Sequence, residues 1–215
     1  MTLFVMNYRL QDFIRYIIPG LYVVALICGW LYVFGNYQFD IERISRVSGI
    51  IIVLIPFVGF VIGYFVESLM AIIEHLFYLL GGRRPSKTVL MGSLKMYSVE
   101  GKDRILEHHK VKANKISNIK AGEILQSAKQ LINRGAVEAF RDNAILSRNI
   151  FGGHLMVTIV LLFLGNYRTP IFLYVSIVSL LLFFLYWCHH NHVYVKYVFA
   201  EYVKYIAESP STKNN

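Results

Sequence analysis

The chain has 215 residues, 56% of them hydrophobic and only 16% charged, where soluble domains carry about a quarter charged residues. The apolar residues fall in long blocks rather than at the spacing of a soluble core, which excludes an ordinary soluble domain and indicates an integral membrane protein. The formal charge of +9 is concentrated in one stretch, and the two cysteines, Cys28 and Cys188, sit in different blocks with no metal-type spacing, which excludes a disulfide framework.

Residues 8–18 place Leu10, Phe13, Ile14, Ile17 and Ile18 on one helical face and Arg9, Gln11, Asp12 and Arg15 mostly on the other. This pattern predicts a short interfacial helix leading into a first span over residues 16–34. Pro19 lies early enough to kink that span without abolishing it. Tyr16, Trp30, Tyr32 and Tyr37 suit the aromatic belts of a bilayer. The first apolar block has no convincing small-residue cleavage site, so a cleaved leader is not expected. Residues 35–48 make a polar connection with Asp40, Glu42, Arg43 and Arg46.

Residues 49–80 then form an apolar run of 32 residues, well beyond the roughly 20 that a span requires. The expected arrangement is a span over 49–66 continuing as an amphipathic stalk. Gly59, Gly63, Glu67, Ala71 and Glu74 recur every three or four residues, and so line one helical stripe. The small residues suit close helix packing. The acids below them suit either solvation near the interface, a charged partner helix or a water-filled path, so Gly59, Gly63, Glu67 and Glu74 are candidate packing or pore-lining positions.

Residues 81–149 carry fourteen Lys/Arg against six Asp/Glu, a charge excess that predicts a cytoplasmic location. The first half shows weak periodicity, as expected of turns and short helices. From Ser117 a helical face emerges at Ile119, Ile124, Leu125, Ala128, Leu131 and Ile132. A second helix, with Val137, Phe140, Ala144 and Ile145, is expected to run into a third span over 150–164. Five residues, Gly165 to Thr169, make a tight turn before a fourth span over 170–188, so spans three and four form a hairpin. An amphipathic helix bearing Val195, Val198, Phe199, Tyr202 and Ile206 follows, with a frayed tail from Ser209.

The expected fold is therefore all-α and polytopic, with four transmembrane helices and a helical basic module. Its expected segments are 1–80, 81–149, 150–188 and 189–215. It is placed in the cell inner membrane with both termini cytoplasmic.

No glycine-rich nucleotide loop follows a strand, and neither a catalytic triad nor zinc-protease spacing can be assembled. His189 and His192 can share a helical face and offer two metal ligands, although the same residues suit the membrane interface; no cofactor is assigned. Arg83, Arg84, Lys87 and Arg148 are candidate contacts for anionic lipid or a cytosolic protein partner. The basic residues lack the aromatic interleaving of a single-strand binder, which makes nucleic acid a poorer partner.

The stretch Arg148-Asn149-Ile150-Phe151-Gly152-Gly153-His154 resembles the motif of HEPN ribonucleases. The resemblance implies Arg148 as a phosphate clamp and His154 as a proton-transfer residue at a dimer cleft. The competing reading has Arg148 and Asn149 anchoring the helix at the lipid headgroups and His154 hydrogen-bonded to a neighbouring span. In size and span number, with its Tyr16-Ile17-Ile18-Pro19-Gly20 entry and the Arg148…His154 pair, the chain also resembles small membrane accessory proteins of bacterial antiviral loci, including those beside RNA-targeting CRISPR effectors. That resemblance implies a non-enzymatic, homo-oligomeric membrane accessory or effector that answers a cytosolic signal by forming a pore or regulating a partner. The alternatives are a membrane-tethered ribonuclease using Arg148 and His154, and a small ion-coupled transporter using Glu67.

Overall fold

The computed structural model describes residues 10–34, 48–80, 82–163 and 170–208. The elements among them are all helical: α1 (Leu10–Phe34), α2 (Ser48–Leu79), α3 (Pro85–Met91), α4 (Lys102–His108), α5 (Asn118–Leu131), α6 (Glu138–Phe163) and α7 (Pro170–Glu208), with 3-10 turns at Lys95–Tyr97, Ala113–Lys115 and Arg134–Val137. Among the described residues, three helices are long and apolar enough to cross a membrane, over Arg15–Tyr32, Val53–Tyr78 and Gly135–Phe163. The connection at 35–47, the turn at 164–169 and the tail from 209 lie outside the described residues.

Two compact units divide the chain, and each takes residues from two separate stretches. The first comprises residues up to Ile72 together with Ile145–Leu185, and the second Ile73–Ala144 together with residues from Tyr186. The long helices explain why consecutive segments do not describe these units. The interfacial helix and first span expected at 8–34 are one helix from Leu10, and the fourth expected span and the amphipathic segment after it are one helix of 39 residues. A continuous hydrogen-bond ladder resists interruption where no residue breaks it. Pro19 stays inside α1.

In the first unit, glycines set the approach of α1 to α2. A Cβ built on Gly20 would fall on the Gly59 carbonyl, and one on Gly63 would fall on the Tyr16 carbonyl. Backbone meets backbone there, which only small residues permit. Gly152 and Gly153 of α6 instead make room for side chains, Met70 and Val66 of α2 for the first and Val23 of α1 for the second. Large apolar side chains such as Val53, Phe57, Phe65, Tyr174, Leu181 and Leu185 are exposed. Such a surface is an aggregation hazard in water and an ordinary one in hydrocarbon.

The second unit has a core of soluble-protein type. Val89, Leu90, Ile105, Ile124, Val198 and Phe199 are fully buried, and Tyr202 nearly so. On α5 the buried face runs through Ala121, Ile124 and Ala128. Ile119, expected on that face, is 71% exposed, because five residues separate it from Ile124 and helical neighbours lie three or four apart. Ser117 caps α5 by accepting a hydrogen bond from the Lys120 amide at 3.1 Å. On α7 the expected apolar face of Val195, Val198, Phe199 and Tyr202 is buried in this core, with Ile206 packed against it.

Candidate functional site

Two polar groupings stand out, one in each unit. In the first, the acid of the α2 stripe meets the arginine of α6. Arg148 Nη2 donates to Glu67 Oε1 at 3.3 Å, with 14% and 21% of the respective side chains exposed. Nearly two helical turns further on, His154 Nδ1 and the Tyr22 hydroxyl hydrogen-bond at 2.9 Å, tying α6 to α1. Phe183 packs against both rings, and Thr158 donates back to the His154 carbonyl at 2.8 Å. Asn149 is wholly buried. Arg148 and His154 thus each face a partner on a different helix.

The Gly59 and Gly63 stripe meets Ile17, Leu21 and Tyr16 of the same chain. α1 of the same chain thus fills the groove that the absence of side chains creates. Arg148, expected among the lipid or partner contacts, is engaged with Glu67.

The second grouping is a cavity of about 230 Å³ within the second unit, lined among others by Glu74, Tyr78, Arg84, Gln126, Lys129 and Asn191. Its parts come from four places in the chain. Glu74 and Tyr78 lie one turn apart on α2, and the Tyr78 hydroxyl donates to Glu74 Oε1 at 3.2 Å. Asn191 Nδ2 on α7 reaches the same carboxylate oxygen and the Tyr78 hydroxyl, each at 3.4 Å.

Arg84 is held from both sides. Pro85 opens α3, and the residue before a proline is kept extended; Arg84 accordingly has φ −63° and ψ 139°. Asn118 brackets it, accepting from the Arg84 amide at 3.2 Å and donating to the Gly82 carbonyl at 2.9 Å. The guanidinium lies 5.6 Å from the centre of the Tyr78 ring and against Gly122 of α5, where a Cβ would strike Nη1. Arg84 Nε is buried with no hydrogen-bond partner among the described residues.

Lys129, also on α5, sets its ammonium 5.1 Å from the centre of the Tyr194 ring. Burial holds its pKa below the ordinary lysine value, against an opposing pull from Glu74. Burial likewise raises the Tyr194 hydroxyl.

The other sequence candidates fall elsewhere in the second unit. Arg83 is exposed and Lys87 half-buried on α3. His189 Nδ1 hydrogen-bonds the Tyr97 hydroxyl at 2.9 Å. His192 donates from Nδ1 to the Cys188 carbonyl at 2.6 Å and stacks on the Tyr97 ring. Among the described residues no three His, Cys, Asp or Glu side chains gather in a metal-ligand group. Cys28 and Cys188 are both free.

Lys129, Asn118 and Asn191 were not legible as a site. The one available signal was Gly122, a residue that costs about 1 kcal/mol inside a helix relative to alanine and so hints at a close approach. No protein-family model, curated protein or solved structure matches the chain.

Proposed function

We propose that the chain is a four-span membrane protein acting by binding rather than by bond-breaking chemistry, an accessory or effector subunit whose basic helical unit works at the cytoplasmic face. Three helices among the described residues are long and apolar enough to serve as spans. The fourth is the start of α7, where residues 170–188 contain no Asp, Glu, Lys or Arg. The excess of fourteen Lys/Arg over six Asp/Glu at 81–149 orients the bundle with that stretch inside.

The observation that carries the non-enzymatic part is the pairing of polar groups on the apolar helices. Charged residues in such helices mark a pathway or a structural pair, and here Arg148 pairs with Glu67 and His154 with Tyr22. Each pair ties α6 to a different helix, which is the role of interhelical glue. A ribonuclease needs Arg148 and His154 together at an accessible phosphate, and a carrier needs Glu67 released from its arginine. Neither demand agrees with these pairings.

Cysteine accessibility in sealed vesicles tests the span count. In a background lacking Cys28 and Cys188, Lys112→Cys and Lys213→Cys should label from the cytoplasmic side, and Gln38→Cys and Tyr167→Cys from the other. Labelling of Tyr167→Cys together with Lys112→Cys would remove the hairpin and with it the four-span reading.

A further inference from the structure

The geometry points to the cavity between Arg84 and Lys129 as a binding site for a small phosphate ester, the chemistry of an anionic lipid headgroup or a soluble phosphorylated metabolite. The inference rests on the membrane reading only for the first of these sources.

Charge argues for an anion. The cavity brings two cations to one carboxylate, and that carboxylate, Glu74, already accepts hydrogen bonds from Tyr78 and Asn191. Among the described residues no acid lies within ion-pair distance of Lys129 or Arg84, and the two cations lie over the rings of Tyr194 and Tyr78 respectively. A partly buried cation satisfied only by a ring gains little, about 0.5–2 kcal/mol, against the desolvation it suffers. Arg84 lines the cavity with its guanidinium, whose fork matches phosphate oxygens better than any other side chain.

Preorganisation argues that the site is built. Asn118 and Pro85 fix the backbone at Arg84, and the missing side chain of Gly122 makes room for the guanidinium. Lysine and arginine reach the cavity from different elements, so their convergence is not the accident of one charged helix face. Gln126 adds a neutral donor at the wall.

Size limits the ligand. The cavity, at about 230 Å³, falls below the roughly 300 Å³ where drug-sized sites begin, which suits a phosphate with a short polar substituent. The location favours a headgroup: Glu74 and Tyr78 lie in the last turn or so of the apolar stretch Val53–Tyr78, the level at which basic pockets take up anionic lipids.

The test uses the purified full chain in phosphatidylcholine nanodiscs. One arm titrates glycerol 3-phosphate; the other incorporates phosphatidic acid into the discs and counts bound lipid by native mass spectrometry. We expect one saturable site per chain. Arg84→Gln and Lys129→Gln should each weaken it by about tenfold or more, the loss of one charge-assisted hydrogen bond. Arg83→Gln, which removes an exposed neighbour of Arg84, should leave it within a few-fold of wild type, and a wild-type helical circular dichroism signal in every variant controls for folding. Saturation in the lipid arm alone identifies a headgroup site, and saturation with glycerol 3-phosphate a soluble ester. Binding in neither arm overturns the inference, as does an equal loss in Arg83→Gln and Lys129→Gln, which would mean diffuse surface charge. Either failure leaves the span count untouched, since labelling of the loops decides that separately.

Discussion

Replacing Gly63 by alanine adds one carbon where α2 meets the backbone of α1. A Cβ there lies 2.7 Å from the Tyr16 carbonyl carbon and 3.1 Å from its Cα, with the carbonyl oxygen closer still, whereas ordinary contact begins at 3.4 Å. Neither atom can rotate away, so the helices must part by roughly 1 Å, a gap that forfeits about a quarter to a half of the dispersion energy of the atoms it separates. Overpacking of this kind costs about 1–3 kcal/mol, and the better helix propensity of alanine returns up to about 1 kcal/mol. The expected net loss is about 1–2 kcal/mol, and the same holds for Gly20→Ala, which strikes the Gly59 carbonyl. Gly29→Ala is the control: it lies on the same helix with nothing within 4 Å and should be neutral or more stable. The double variant Gly20→Ala/Gly63→Ala should lose less than the sum, because one displacement accommodates both carbons. Thermal unfolding in detergent, followed by fluorescence of the buried Trp30 on α1, measures each. Gly20→Ala and Gly63→Ala melting at or above wild type, as Gly29→Ala should, would refute the backbone contact and reopen the seam to a second chain.

Three further outcomes are expected. Arg148→Ala leaves Glu67 largely buried without its ion-pair partner; with 21% of that side chain still exposed, the loss should be about 2–3 kcal/mol, under the 3–5 of a fully dry pair. Arg148→Ala/Glu67→Ala should recover most of it, and a neutral single variant would show the pair to be screened. Phe199→Ala empties the centre of the second unit's core, where the ring is fully buried; a destabilisation of about 3–5 kcal/mol is expected in urea titration, and a loss below about 1 kcal/mol would mean that the core collapses around the gap.

The third concerns acid. Burial, aided by His108 and Lys120, holds His109 below its ordinary 6.5, with Nε2 hydrogen-bonded to the Tyr202 hydroxyl at 3.1 Å. The unfolded chain therefore takes up a proton first as pH falls below 6.5, so the stabilisation is present above that value and drains away beneath it. His109→Gln should flatten the decline in melting temperature between neutral and acid pH, and an unchanged slope would assign the decline to other groups.

Much of the helical plan could be read from periodicity. The helix that begins after Ser117 and the apolar face of Val195, Val198, Phe199 and Tyr202 depend on residues within a few positions of one another, where 3.6-residue geometry alone dictates neighbours. Ile119 shows the limit of that reading, because an apolar residue near a helix start joins the core only if the helix is rotated to receive it. The division into units was also beyond reach. A continuous helix such as α7 carries no sequence mark at Leu185, and only its contacts assign the residues beyond it to a different core.

The candidate site divides in the same way. Composition and charge clustering by themselves determined the all-helical, apolar character of the chain and its one basic stretch, since burial of apolar surface and repulsion among charges act through residue type. Which arginine meets an acid, and which is left beside a cavity, was decided only by the tertiary structure. Arg83, Arg84 and Arg148 are chemically identical, and long-range neighbours alone separate them: solvent for the first, Tyr78 and Gly122 for the second, and Glu67, 81 residues away, for the third.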